Sequence, residues 1–135
     1  MNYQLNFKTE SDYLIAKVYG IRTQKMEAKN ALTAIQEIAH FCEKNSFNKA
    51  IIVWEIEGAI SPDQALILIS NLKKYDWSKR YITASVHPNK TNFDSHQYTA
   101  KVADTLGWSI RFFNHINKAK EWINRIQLEE QSIKI

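Results

Sequence analysis

The amino-acid sequence predicts an α/β fold: a single domain built on a mixed, mostly parallel sheet with an N-terminal antiparallel hairpin and about four helices. Stretches with helical spacing of apolar residues alternate along the chain with short runs typical of strands. Residues 49–56 are apolar at both odd and even positions, which is typical of a strand covered on both faces. Strands that alternate with helices pair in parallel through right-handed crossovers. We place the domain at residues 1–128 and a polar C-terminal tail at residues 129–135.

The N-terminal residues are typical of a β-hairpin. Residues 9–12 are rich in turn formers, and residues 13–19 are rich in aromatic and β-branched side chains. Before the turn, apolar side chains alternate with polar ones at Tyr3, Leu5 and Phe7. We therefore expect two antiparallel strands, with the first at an edge of the sheet.

The first helix is predicted over residues 25–45. Apolar residues recur there at steps of four and three, at Ala28, Leu32, Ile35, Ala39 and Cys42. Cys42 lies on this stripe, where a thiol is usually an inert small hydrophobic group and not a nucleophile. As the single cysteine of the chain, it cannot form an internal disulfide, which favours a reducing, cytoplasmic location.

The second helix has a well-marked start. Ser61 is the predicted N-cap, Pro62 occupies the first helical position, and Gln64 completes a capping box in which Ser and Gln satisfy each other's backbone N–H groups. If Ala65, Leu68, Ile69 and Leu72 face the sheet, then at about 100° per residue Ile67 points outward, with Leu66 at its flank. Exposed aliphatic residues beside polar ones are either ordinary single exposures, which are common, or part of a contact surface.

The remaining elements complete the alternating pattern. A strand over residues 80–86 ends at His87, and a third helix begins after Asn92 or Asp94 and stops at Gly107. This helix is predicted to turn three side chains inward: Tyr98, Val102 and Leu106. Residues 108–113 form the last strand. Asn117 caps a final helix whose inner face carries Ala119, Trp122, Ile123 and Ile126.

Candidate chemistry collects where the parallel strands end, because ligands gather beyond the carboxyl ends of such strands. The residues expected there are Glu55, Glu57, Ser61, His87 and His115. They come from separate loops without the close spacing of metal ligands, so we expect no metal at Glu57, His87 and His115. His96 and His40 are still weaker candidates for a metal or acid-base site. With its three glycines scattered, the chain has no phosphate-binding loop. We expect no catalytic residue, no cofactor and no enzymatic activity.

Charge and hydropathy exclude two further classes of function. The net charge is +4, but basic and acidic residues interleave, which favours an ordinary solvated surface over a nucleic-acid partner. The longest apolar run, residues 65–69, is far shorter than the roughly 20 residues of a transmembrane helix. Three aromatic residues surround the exit of the second helix: Tyr75, Trp77 and Tyr81. Packing is the favoured role for them, and the alternative is an apolar ligand pocket.

Several of these features together resemble a known family. They are the N-terminal hairpin, the buried strand that leads into Ser61 and Pro62, and the closing residues Phe112, Phe113, Asn114, His115, Ala119, Trp122 and Ile123. This layout is similar to the STAS-like domains, the family of anti-sigma-factor antagonists, and especially to the small stand-alone bacterial STAS/SEC14-like branch. The resemblance covers roughly residues 3–126. Phosphorylated members carry Asp-Ser-Ser or Asp-Ser-Thr followed by Gly at this corner, whereas residues 58–62 here are Gly-Ala-Ile-Ser-Pro, so phosphorylation is not implied.

The resemblance implies a function in binding. In STAS-like domains the strand-to-helix corner and the following helix form the partner-binding face, which here corresponds to Ser61, Pro62, Leu66 and Ile67. The leading hypothesis is a non-catalytic regulatory module that binds a protein partner. The alternative is a carrier or sensor of a small apolar or lipidic ligand, as the SEC14-like branch and Tyr75, Trp77 and Tyr81 suggest. A monomer and a homodimer both remain open.

Overall fold

Five strands form one mixed sheet in the order β1-β2-β3-β4-β5. The computed structural model describes residues 3–22 and 26–133, without the side chains of residues 90–92, 127 and 130–133. The first strand pairs antiparallel with the second, and all other neighbours are parallel. The predicted fold class and the antiparallel edge strand are confirmed. The strands are β1 Gln4–Thr9, β2 Leu14–Ile21, β3 Lys49–Glu57, β4 Ile82–Val86 and β5 Ile110–Phe113.

The helices of the described residues follow the predicted order with two differences. The predicted third helix is divided in two at His96, and the last helix continues beyond Leu128, into the segment that the sequence marks as a polar tail. Residues 134 and 135 of that segment, and Lys25 at the predicted start of the first helix, lie outside the described residues. The helices are α1 Glu27–Lys44, α2 Pro62–Ser70, α3 Lys90–Ser95, α4 Gln97–Thr105 and α5 Ile116–Ile133, with a short 3₁₀ turn at Lys73–Tyr75.

The hydrophobic core lies on both faces of the sheet. Successive residues of β3 point to opposite faces. Ile52 and Trp54 therefore enter the larger cluster, with residues of α1 and α2, whereas Ile51 and Val53 enter the smaller cluster beneath α5. Ile51 and Ile52 are almost inaccessible to solvent, so the predicted burial of this strand on both faces is confirmed.

The strand order explains which helices share a face. From β2 to β5 each crossover moves to the adjacent strand in the same direction. Right-handed crossovers that all advance in one direction place their helices on one face of a sheet. The helices α1, α2 and α4 accordingly pack side by side, and α5 covers β3, β4 and β5 from the opposite face.

The N-terminus of α2 is held by both local and long-range hydrogen bonds. Ser61 Oγ accepts a hydrogen bond from Gln64 N at 3.2 Å, as predicted for the N-cap. The reciprocal half of the capping box is wrong: Gln64 Oε1 accepts from Ala28 N at 3.0 Å, and Ser61 N donates to Glu27 Oε2 at 3.3 Å. The first turn of α1 has unpaired N–H groups of its own, and this exchange joins the starts of the two helices.

The helix α4 faces the core with a different side than predicted. Thr99 and Ala103 are buried, whereas Tyr98 and Leu106 are exposed and Val102 is partly buried. The inward phase assigned to Tyr98 and Leu106 is therefore wrong. Small side chains at Thr99 and Ala103 let the helix lie close to the sheet. This close packing outweighs the larger apolar area that burying Tyr98 and Leu106 would remove from water.

Candidate functional site

The predicted partner-binding residues lie together at the N-terminal half of α2. Ser61 and Pro62 are exposed at its start, and Leu66 and Ile67 are each 45% exposed. The outward phase of Ile67 agrees with the helical pattern of the sequence. These residues form the outer surface of α2, whose opposite side packs on the sheet through Ala65, Leu68 and Ile69.

A shallow apolar groove runs between α2 and α4. It has a volume of about 340 Å³ and is lined by Leu66, Tyr98, Lys101, Val102, Thr105 and Leu106; we call it the helix groove. Tyr98 and Leu106 are exposed to the same extent as Leu66 and Ile67, and Ile67 directly follows Leu66 on α2 without lining the groove itself. The apolar surface of α2 is thus extended by the neighbouring helix.

Sequence reasoning missed the contribution of α4 because it placed Tyr98 and Leu106 in the core. A spacing of four residues marks one side of a helix without saying whether that side faces the core or solvent. The small residues Thr99 and Ala103, one position further along, were the available signal for the opposite phase.

The carboxyl ends of the parallel strands do not bring the predicted acidic residues and histidines together. Glu55, Glu57 and His115 are exposed, whereas His87 is only 1% exposed. His115 Nδ1 instead accepts a hydrogen bond from Asn117 N at the start of α5, so the prediction that Asn117 caps this helix is wrong. Within the described part of the chain, no group of three or more His, Cys, Asp or Glu side chains is placed to hold a metal ion.

His87 instead joins a buried cluster that sequence reasoning did not assemble. Trp54 Nε1 donates to Ser85 Oγ at 3.1 Å, and the same Oγ lies 2.8 Å from His87 Nε2. The rings of His87 and His96 lie against each other, with centroids 3.9 Å apart. Arg22 Nη2 lies 3.2 Å from His96 Nε2. We call Arg22, Trp54, Ser85, His87 and His96 the histidine cluster.

The backbone holds two members of this cluster at the carboxyl edge of the sheet. His87 directly follows β4, and its N–H donates to Phe113 O at 2.8 Å. Arg22 directly follows β2; its N–H donates to Glu57 O at 3.0 Å and its Nε donates to Gly58 O at 3.1 Å. Gly58 has a φ of 99°, and a side chain there would approach Arg22 Cβ to 3.2 Å. Glycine is therefore required at position 58, where the chain turns beside Arg22.

Burial keeps both histidines of the cluster neutral. It lowers the pKa of His87 well below its usual value, and nearby His96 and Arg22 act in the same direction. Burial, together with the positive charge of Arg22, lowers the pKa of His96 to about 3. Burial also lowers the pKa of Arg22, while nearby Tyr3 and Glu27 favour its charged form. Near neutral pH the two imidazoles are therefore uncharged and sit beside one guanidinium.

A cavity of about 40 Å³ adjoins the histidine cluster between the sheet and helices α1, α2 and α4. All five cluster members contribute to its walls, along with Trp77, Thr83, Thr99, Ile110 and Phe112. The remaining lining residues are aliphatic, so most of the wall is apolar: Ala31, Ile35, Ile52, Leu68, Ile69 and Leu72. Of the three aromatic residues considered for a ligand pocket, Trp77 lines the cavity, whereas Tyr75 and Tyr81 are not part of its lining. Trp77 is buried, its Nε1 donates to Thr83 Oγ1 at 3.2 Å, and Tyr81 packs edge-on against its ring.

Cys42 is placed as an ordinary core residue. Its side chain is buried on α1, and burial raises the pKa of its thiol to about 11. A thiol is nucleophilic only as the thiolate, so Cys42 is unreactive near neutral pH.

Comparisons with known proteins leave function to be judged from this geometry. No protein-family model, no curated protein and no solved structure matches the chain. None of the described helices is long and apolar enough to cross a membrane.

Proposed function

We propose that the protein is a non-catalytic regulatory module that binds a protein partner through the helix groove and the adjacent corner at Ser61 and Pro62. The observation that supports it is the set of four large apolar side chains on two adjacent helices, each between 42% and 45% exposed: Leu66, Ile67, Tyr98 and Leu106. Single exposed apolar residues are common, but an apolar patch continuous across two helices is typical of a contact surface.

The shape and charge of the groove favour one kind of partner. A groove between two helices is suited to an amphipathic helix that lays its apolar face along it. Lys101 lines the groove, and Lys79 lies at its end, where Nζ donates to Leu106 O at 2.8 Å. Basic residues at the rim favour acidic residues beside the apolar face of the partner. The proposed partner segment is therefore an acidic amphipathic helix.

The alternative, a small apolar or lipidic ligand, has weaker support. The cavity beside Trp77 measures about 40 Å³, compared with roughly 300–1,000 Å³ for pockets that hold drug-sized ligands. Its lining also contains histidine, arginine and hydroxyl side chains, which a lipid tail does not satisfy.

Site-specific photo-crosslinking in the cells that make the protein tests the proposal. A photoreactive amino acid at Thr105, inside the helix groove, should form an adduct with one partner, and the same amino acid at Lys120, on the opposite face of the sheet, should not. Leu66→Glu should abolish the Thr105 adduct, whereas Leu128→Glu, a matched aliphatic-to-acidic change on α5, should leave it. Equal adducts at both positions, or an adduct that survives Leu66→Glu, would contradict the proposal.

A further inference from the structure

Three residues that line the cavity beside the histidine cluster carry unpaired polar atoms. His87, His96 and Thr99 all line it, and each is at most 4% exposed. Within the described part of the chain, His87 Nδ1, His96 Nδ1 and Thr99 Oγ1 are buried and have no hydrogen-bond partner. Buried polar atoms are nearly always paired with protein, water or ligand, so three around one cavity indicate a bound group.

The hydrogen bonds of His96 identify its unpaired atom as a donor. Arginine can only donate, so in the contact of Arg22 Nη2 with His96 Nε2 the imidazole nitrogen accepts. His96 is neutral, and a neutral imidazole carries one proton. That proton is therefore on Nδ1, and His96 offers a buried N–H group without an acceptor.

Ser85 determines which nitrogen of His87 carries the proton. Ser85 Oγ accepts from Trp54 Nε1, and the remaining contact of this hydroxyl is with His87 Nε2. Because Ser85 Oγ already accepts one hydrogen bond, its own proton is free to be donated to His87 Nε2. The ring proton of neutral His87 is then on Nδ1. Two N–H donors and the Thr99 hydroxyl, all on residues that line the cavity, thus lack an acceptor within the described part of the chain.

The charge of the cavity favours an anion. Among the described residues of the lining, Arg22 is the cation and none is a carboxylate. Glu27 offsets part of the Arg22 charge, but it is bonded to Ser61 N and is not part of the cavity wall. Arg22 is partly exposed, as are Ile110 and Phe112 in the same lining, so the cation lies on the solvent side of the cavity. A positive charge beside N–H and O–H donors is the setting in which proteins bind oxyanions.

We infer that this cavity is a binding site for one carboxylate group, held by His87, His96 and Thr99 and attracted by Arg22. A volume of about 40 Å³ has room for a group of about three non-hydrogen atoms, because a cavity measured in this way needs roughly 10–15 Å³ to hold one water molecule. Formate fits this description, as does the carboxylate end of a longer molecule that extends past Arg22. The site is separate from the helix groove and does not depend on the proposed partner.

Nuclear magnetic resonance of the full-length chain provides the test. Sodium formate, added at pH 7 and at constant ionic strength, should shift the imidazole resonances of His87 and His96 and the methyl resonance of Thr99 in a saturable way. The imidazole of exposed His40 should not follow. Butyrate in place of formate distinguishes the two sources of the carboxylate. If the site takes the end of a longer molecule, butyrate should bind at least as tightly as formate. If the site takes only a free formate-sized ligand, butyrate should not bind.

Two variants and one uncharged probe decide the outcome. Thr99→Val keeps the side-chain shape and removes the hydroxyl, and it should weaken formate binding by about tenfold or more; His96→Phe should do the same, and His40→Phe should have no effect. If His96→Phe does not fold, Thr99→Val alone decides. Three results would overturn the site. The first is the absence of a saturable shift, which would mean that the cavity holds water only. The others are that formamide binds as tightly as formate, or that Thr99→Val leaves the affinity for formate unchanged.

Discussion

The rings of His87 and His96 lie 3.9 Å apart between centroids at an angle of 31°, although the two residues belong to different elements of the fold. His87 ends β4, and His96 separates α3 from α4. Protonating either ring would bury a charge beside the other ring and beside Arg22. The pair is therefore stable only while both rings are neutral.

The stability of the domain should fall as the pH decreases below about 6.5, the usual pKa of histidine in an unfolded chain. The folded-state pKa of both histidines is lowered, to about 3 for His96, so the unfolded state binds more protons throughout this range. The expected loss in the free energy of unfolding is about 1.4 kcal/mol per pH unit for each histidine. Urea unfolding between pH 7.5 and pH 5 measures it. A slope unchanged in His96→Phe would contradict this origin, and His40→Phe serves as the control.

Replacing Ile67 with Glu should separate folding from binding. Ile67 is on the outer surface of α2, so the free energy of unfolding should change by no more than roughly 0.5 kcal/mol. A charge placed in an apolar contact must be desolvated, so binding of the partner should be lost. Thermal unfolding and recovery of the partner crosslinked at Thr105 measure the two effects. Unfolding of the variant would place Ile67 in the core, and undiminished partner recovery would exclude Ile67 from the contact.

Gly20→Ala should destabilise the domain by about 1–3 kcal/mol, as overpacking of a core does. The ring of Tyr3 lies so close to Gly20 that an added methyl group would overlap Tyr3 Cδ1. Chemical denaturation of Gly20→Ala, Tyr3→Ala and the double variant measures the coupling between them. The double variant should be no less stable than Tyr3→Ala alone, and strictly additive effects would show that the ring is not what excludes a side chain.

Glu27→Ala should destabilise the domain by about 1 kcal/mol, because it removes the acceptor of Ser61 N at the start of α2. Ser61→Ala should have an effect of similar size through loss of the cap on Gln64 N. The exposed acid Glu37, also on α1, provides the matched control, and Glu37→Ala should change stability little. Equal effects of Glu27→Ala and Glu37→Ala in urea unfolding would argue against the link between the two helices.

Most of the fold could be predicted from local patterns. The unbroken apolar run of β3 predicts burial on both faces, because a half-exposed strand would alternate with polar residues. Ser61 followed by Pro62 predicts the start of α2, because Ser caps a free N–H group and Pro has the backbone angle of a first helical residue. The phase of α4 could not be predicted in the same way. Two of its sides carry apolar residues, and close packing against the sheet selects the one with Thr99 and Ala103.

The two candidate sites also differ in how far they could be predicted from the sequence. Leu66 and Ile67 could be found because a single helix determines which way they point. The histidine cluster could not, because the contact of His96 with His87 and Arg22 arises only when three separate segments meet at the end of the sheet. No spacing in the sequence reports such a meeting, and the low pKa of these histidines exists only after they are buried.

The consecutive order of the strands has a consequence for how the domain folds. Each strand pairs with the one before it in the chain, so every strand pair is closed by a hairpin or by a single crossover. Assembly can proceed from the N-terminal hairpin towards β5, with each step building on a sheet that already exists. The carbonyl that fixes the backbone of His87 belongs to Phe113 in that last strand. The histidine cluster thus depends on the last strand of the chain, and opening of β5 would remove the carbonyl that holds His87 N.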